Sequence, residues 1–233
     1  MAKEIVAGVY QIGTLLGAAN AFLIVEEQLT LIDTGVKGSQ GRIKKLIEEL
    51  GRSPTELTLI LLTHCHVDHV GSVVALKELA GAKVAMHRSD TAYLSKALSY
   101  PKPKPKPLSW LYSAFMLPLF YCPAISADIL LDDNSELEVL GGLKVIHTPG
   151  HTPGNICLYS PERNILFAGD TVRAAGGEVH MPYKRFTDNW DQARNSLNKL
   201  RGLQTTTLCF GHGEAMTAGA QAKLSKLLDE ATM

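Results

Sequence analysis

A chain of 233 residues with 45% hydrophobic and 20% charged residues has the make-up of a globular protein able to bury a large core, which excludes disorder. Lysine plus arginine equals aspartate plus glutamate at 23 each, so no basic field exists to neutralise phosphates and nucleic acid is not a favoured partner. Cys65, Cys122, Cys157 and Cys209 stand far apart with no C-x-x-C pair, which argues against a disulfide framework or a zinc ribbon and for a reducing compartment.

The first ten residues carry Lys3 and Glu4 and then strand-like residues, without the apolar core and cleavage site of a secretory signal. The longest apolar tract, residues 110–122, contains Pro118 and falls short of the roughly 20 residues needed to cross a bilayer. The expectation is a cytoplasmic protein with no transmembrane segment, folded as one domain over residues 1–233.

Residues 5–12, 21–25 and 29–33 are short β-branched or alternating runs broken by Gly and Asn, and predict antiparallel strands in a meander. In 40–50, Ile43, Leu46, Ile47 and Leu50 recur at helical spacing and Gly51 follows as a stop. Residues 57–62 form a continuous apolar run of strand length, covered on both faces, that delivers residues 63–69 at its carboxyl end. A helix at 73–79 and a strand at 83–87 follow. Further strands are predicted at 137–140, 143–147, 156–160 and 165–168, with Gly141 and Gly142 marking a hairpin turn. A helix at 190–203 capped by Asp188, a strand at 206–210 and a helix at 218–228 complete the pattern. Helices at intervals among two sets of strands predict an α/β protein with a sheet-on-sheet core covered outside by helices.

The stretch from about 95 to 127 breaks this rhythm and reads as an insertion. It opens with Pro101-Lys102-Pro103-Lys104-Pro105-Lys106-Pro107, which cannot form a helix and should be stiff and extended. Its second half is apolar, with Trp110, Tyr112, Phe115, Met116, Phe120 and Tyr121 among its side chains.

Three of the eight histidines fall in Thr63-His64-Cys65-His66-Val67-Asp68-His69, directly after the buried strand. Imidazole and carboxylate are the usual zinc ligands, and a catalytic zinc takes about three from the protein and leaves a position for water. Further candidates come in order: His151 in Thr148-Pro149-Gly150-His151-Thr152-Pro153-Gly154, Asp170 in Ala168-Gly169-Asp170-Thr171, and His212 in Phe210-Gly211-His212-Gly213. A single such residue would as readily be a cap or a turn residue. Seven, each at a strand end and with glycine beside the later three to allow close backbone approach, point to a metal site.

With these motifs the sequence resembles the metallo-β-lactamase superfamily, whose T-H-x-H-x-D-H signature is matched by residues 63–69 and whose first motif resembles Leu31-Ile32-Asp33-Thr34-Gly35. The resemblance implies a four-layered αββα sandwich with the site at one edge between two sheets. It implies that His64, His66 and His151 hold one metal, that Asp68, His69 and His212 hold a second, and that Asp170 bridges them. Asp33 is then either a support behind a ligand or a residue that stabilises its own turn. The cofactors expected are two divalent ions, Zn2+ first, with Fe or Mn as alternatives. The implied reaction is hydrolysis by a hydroxide shared between the metals, with Asp68 and Asp170 as the catalytic carboxylates.

The later motifs look most like the glyoxalase II branch, whose members cleave thioesters, but here only about 20 residues follow His212, too few for that branch's helical domain. The expected substrate is therefore a small apolar ester, lactone or thioester, with the insertion as a lid and Trp110, Phe115, His180 and Tyr183 as substrate contacts, Arg173 lying nearby. The insertion also suits a homodimer contact, packing on the core or, third, a weak membrane contact. Cys65, His87 and His147 are expected to be structural. Competing expectations are an iron-dependent redox enzyme such as a persulfide dioxygenase, which shares a T-H-C-H-x-D-H form, a phosphodiesterase or nuclease, and a non-catalytic metal-binding module. A β-lactamase in the strict sense is disfavoured by the lack of an export signal.

Overall fold

The computed structural model describes residues 2–14, 18–96 and 122–231. Gly8, at φ 76°, turns the first apolar run back on itself, so that β1 (Ala2–Val6) and β2 (Val9–Gly13) pair antiparallel. β3 (Asn20–Val25) and β4 (Leu29–Ile32) continue the meander. From β4 the chain crosses through α1 (Gln40–Glu49) to β5 (Leu57–Leu62), which runs parallel to β4. It then passes through α2 (Val67–Val70) and α3 (Val73–Ala80) to β6 (Lys83–His87), and through α4 (Thr91–Leu94) to β7 (Ile129–Leu131), both strands again parallel to their predecessors. These seven strands form one sheet in sequence order.

The second sheet contains β8 (Glu136–Leu137), β9 (Leu143–His147), β10 (Ile156–Ser160) and β11 (Ile165–Phe167). After a separate hairpin of β12 (Arg173–Ala175) and β13 (Glu178–His180), β14 (Thr207–Cys209) completes it in the order β14-β11-β10-β9-β8. Two more helices, Trp190–Ser196 and Ala220–Glu230, lie on its outer side.

Alternation along the strands builds three hydrophobic layers, because successive side chains point to opposite faces. Phe22, Ile24, Leu61 and Ala85 of the first sheet meet Val145, Leu158, Ile165, Phe167 and Cys209 of the second, and Phe22 and Phe167 make an edge-to-face contact at 5.4 Å. Their neighbours Leu23, Ile60, Leu62, Val84 and Met86 face outward against Ile43 and Ile47 of α1 and Val73 and Leu76 of α3. On the other side Cys157, Leu166 and Leu208 face Leu197, Leu200, Leu224 and Leu228. The result is the expected four-layered αββα sandwich.

Direction explains where a site can form. β4 and β5 end on one edge of the first sheet, since they are parallel. β9, β11 and β14 run the same way in the second, since β10 is antiparallel to both β9 and β11 and β14 is parallel to β11. At this shared edge the sheets are joined by backbone bonds, with Ile156 N donating to Thr63 O at 3.0 Å and Asn20 N to Gly211 O at 2.7 Å.

Several boundaries differ from expectation. The helix expected over 190–203 ends at Ser196 and continues only as a 3₁₀ turn, Leu197–Leu200, and its cap is Asn189, whose side chain accepts from Gln192 N, instead of Asp188. The strand expected at 137–140 stops at Leu137, and Leu140 adopts φ 50°, which a continuing strand cannot use. β7 and the β12–β13 hairpin, with Gly176 and Gly177 at its turn, were not expected. The two ends of the insertion meet where Ile125 N donates to Leu94 O at 3.3 Å, and Cys122 is buried in the outer core beside the first sheet. Residues 97–121, with Trp110, Phe115 and the dimer contact expected of them, lie outside the described residues. All four cysteines are buried and free, and no helix among the described residues is long and apolar enough to cross a membrane.

His87 and His147, at the ends of β6 and β9, stack with centroids 3.8 Å apart and planes at 18°. Burial, with His147 adding to it, pushes His87 down from 6.5 to about 4. The folded state thus binds this proton more weakly than the unfolded chain, so the stabilisation from keeping His87 neutral is intact above about pH 6.5 and is lost as the pH falls towards 4. Urea midpoints measured across this range should fall with acidification, and His87→Leu should flatten that fall. An equally steep decline in the variant would contradict this assignment.

Candidate metal centre

Every residue singled out for metal binding follows a strand at the shared edge. β5 delivers His64 and His66, and the turn into α2 brings Asp68 and His69 round to the same side. The loop after β9 carries His151, the turn after β11 carries Asp170, and the turn after β14 carries His212. Two groups result: one ligand atom each of His64, His66, His151 and Asp170 lie within 4.8 Å of one another, and so do those of Asp68, His69 and His212.

The atoms that converge are basic ones. His66 Nδ1 is 3.0 Å from His64 Nε2 and 2.9 Å from His151 Nε2. Asp170 faces members of both groups: Oδ2 lies 3.3 Å from His151 Nε2 and 3.3 Å from His212 Nε2, and Oδ1 lies 3.5 Å from His69 Nε2. Asp68 Oδ2 is 3.4 Å from His212 Nε2.

Bonds behind the site fix which nitrogen faces inward. Thr63 Oγ1 donates to Asp33 Oδ2 at 2.8 Å, so it must accept from His64 Nδ1, 3.0 Å away, which leaves the His64 Nε2 lone pair to the cluster. Thr187 Oγ1 likewise donates to Tyr183 O and therefore accepts from His151 Nδ1 at 3.2 Å. His69 Nδ1 donates to Asp33 Oδ2 at 2.8 Å, which turns its Nε2 inward. Outer hydrogen bonds of this kind orient imidazoles for a metal.

Asp33 is thus tied to Thr63 and His69 at once, and the turn it occupies, at φ 57°, is stabilised by those bonds rather than by the side chain's own loop. Asp90 was not singled out from the sequence. Its carboxylate is buried, with Oδ2 accepting from Cys65 N at 3.0 Å and Thr152 Oγ1 at 2.7 Å and Oδ1 accepting from Gly154 N at 2.6 Å. It therefore laces the His64–His66 turn to the His151 loop. A signal for it existed, since an aspartate just beyond a buried strand suggests a cap or a tie, but its partners are 25, 62 and 64 residues away.

Glycine is required where backbone meets this centre. A methyl on Gly211 would lie 2.2 Å from Asp170 Oδ1 and 2.7 Å from His69 Cε1, and one on Gly154 would lie 2.7 Å from the Asp90 carboxyl.

The electrostatics divide the cluster. Burial pushes His64 well below its ordinary value and His66 to about 3, so both are neutral. Burial opposes charge on His69 and His212 too, but Asp170 with Asp33 raises His69 to about 9, and Asp170 with Asp68 raises His212 to about 11. Burial alone would raise the two inner carboxyls, yet the His212 bond brings Asp68 to about 2, and His212 and His69 hold Asp170 well below the carboxylate range. His69 Nε2 and Asp170 Oδ1 are buried without a hydrogen-bond partner. Convergent lone pairs, buried carboxylates and two orphaned donor atoms are what a divalent cation satisfies, so the residues present fit metal binding.

Of the expected substrate contacts, Tyr183 is half-exposed on the loop that Thr187 ties to His151, with the Arg173 guanidinium 4.1 Å from its ring. Phe186, also exposed, lies on the same loop with the Arg185 guanidinium 4.5 Å from its ring. His180 is turned into its own hairpin, its Nε2 lying 3.2 Å from Ala175 O. Cys65 packs in the outer core and belongs to neither ligand group.

This chain belongs to the metallo-beta-lactamase superfamily, whose family model matches residues 14–212. It is 32% identical over 225 residues to the probable metallo-hydrolase YflN of Bacillus subtilis (strain 168), covering 88% of this chain and 84% of that one. It is 27% identical over 207 residues to the hydroxyacylglutathione hydrolase GloC of Haemophilus influenzae, covering 88% of this chain and 89% of the relative. The fold is shared with the class B3 di-zinc metallo-beta-lactamase LRA-12 from an Alaskan soil metagenome, at a TM-score of 0.71 and 20% identity over 99% of this chain and 92% of that chain.

Two outcomes follow from the outer bonds. Asp33→Asn should weaken metal binding on the His69 side by about 10–100-fold in competitive chelator titrations, and unchanged affinity would contradict the support role. Asp90→Ala leaves three buried donors unmet and should cost about 3 kcal/mol, read as a lower urea midpoint, together with reduced metal retention. A variant as stable as the parent would contradict the lacing role.

Proposed function

We propose that this enzyme of the metallo-beta-lactamase superfamily is a dinuclear metal hydrolase acting on a small apolar ester, lactone or thioester. The observation that carries the reading is Asp170, one buried carboxylate that faces His151 in one ligand group and His69 and His212 in the other. His64, His66 and His151 would hold one cation and Asp68, His69 and His212 the other, with Asp170 shared. The donor set suits Zn2+, and iron or manganese would also accept it. Divalent cations supply an acidified water near neutral pH and a positive charge against which a substrate oxygen is polarised.

The chain's own groups do the rest. Asp68, kept ionised by its bond with His212, accepts the proton given up by the attacking water and passes it to the departing alcohol or thiol. Tyr183 and Phe186 present apolar faces beside the His151 loop, which supports an acyl or ring substituent there. A thioester also fits the span of this chain, because the hydroxyacylglutathione hydrolase GloC is matched over 89% of its length.

The test is a screen of metal-stripped and zinc-, iron- or manganese-restored protein against acyl thioesters, aliphatic esters, lactones, phosphodiesters and glutathione persulfide, with oxygen uptake recorded. Metal-dependent hydrolysis of an ester or thioester is expected, falling by a factor of about 10³ or more in Asp170→Ala. Cleavage of phosphodiesters alone would overturn the substrate class, and iron-dependent oxygen uptake would overturn the reaction.

A further inference from the structure

A cavity of about 390 Å³ lies apart from the seven clustered residues, between the β12–β13 hairpin and the helices Trp190–Ser196 and Ala220–Glu230. Its walls include Arg173, His180, Met181, Trp190, Lys223 and Leu227, and it also contains Lys226, Glu178 and Glu230. Most of its charges are already engaged: Lys226 pairs with Glu178 at 3.6 Å, and Lys223 donates to Gly177 O. Arg173 and Glu230 are the exceptions, and Arg173 is the cation of the two. The Arg173 Nε is buried without a hydrogen-bond partner, the side chain forms no ion pair among the described residues, and its guanidinium carbon lies 4.1 Å from the centroid of the Tyr183 ring. A guanidinium braced against a ring, whose terminal nitrogens have no hydrogen bond or ion pair among the described residues, can receive a carboxylate, and Met181, Trp190 and Leu227 offer an apolar part of the wall to a short hydrocarbon body.

Arg173 is also coupled to the metal centre by the chain itself. It follows Asp170 by three residues, and its neighbour Ala174 donates its backbone N–H to His212 O at 3.0 Å. We propose that this cavity binds a small organic carboxylate through Arg173, adjacent to the hydrolytic centre. Binding itself does not depend on the hydrolase reading; only the effect on turnover does.

The chain has two tryptophans, Trp110 and Trp190, so Trp110→Phe leaves Trp190 as the sole indole reporter in the cavity wall. Titrating this protein, stripped of metal, with benzoate should give a saturable change in emission, while the neutral isostere benzamide should give none. Arg173→Gln should weaken benzoate binding by about tenfold or more, and Arg173→Lys should lose less. Equal responses to benzoate and benzamide, or full benzoate affinity in Arg173→Gln, would overturn the proposal. The benzoate–benzamide contrast in the parent decides the matter even where a variant fails to fold. Once a substrate is in hand, competition with a carboxylate-bearing ester identifies the anion as part of the substrate, and a changed kcat on a neutral ester identifies it as an effector.

Discussion

His66 Nδ1 lies about 3 Å from both His64 Nε2 and His151 Nε2, so that among neutral rings a single N–H, on His66, is all that stands between two inward-facing lone pairs. The rest of the site is organised around this constraint. Thr63, Asp33 and Thr187 take the outward N–H groups of His64, His69 and His151, so that the inward-facing nitrogens are not free to turn away. On the other side of Asp170, protons held on His69 and His212 carry the positive charge that a second cation would otherwise bring. Folding therefore produces a pocket whose charge balance is incomplete until something positive occupies it.

The sandwich makes such a pocket attainable because its two sheets are oriented alike where it matters. β4, β5, β9, β11 and β14 all end on one edge, so five loops widely separated in sequence arrive together without any of them being long. Two carboxylates, Asp33 and Asp90, then tie those loops to one another, and glycine at position 211 lets the last loop pass against Asp170 and His69. Hydrophobic packing sets the layers, and a few buried charged hydrogen bonds set the edge.

Much of this was legible in the sequence. The strands 57–62, 143–147 and 156–160 and a helix from residue 40 follow directly from apolar periodicity, a sheet-on-sheet core with helices outside follows from their order, and the four-layered form came with the family resemblance. The residues that the structure gathers into two groups all stood in short motifs at strand ends. What was illegible is what depends on distant partners. Asp90 reads as a local turn residue until Cys65, Thr152 and Gly154 are seen around it. The β12–β13 hairpin is three residues a side with no alternation to betray it, and β7 is equally short. Asn189 displaces Asp188 as a cap because Asp188 N and Asn189 N are both drawn onto the His151 loop, bonding His151 O and Gly150 O, a tertiary contact that fixes where the helix can begin.

The account rests on two cations sharing one carboxylate. Anomalous diffraction from zinc-loaded crystals, recorded on both sides of the zinc absorption edge, tests this most directly. It should reveal two peaks roughly 3.5 to 4 Å apart, one on each side of Asp170. A single peak at full occupancy, or metal bound anywhere but among these side chains, would contradict it.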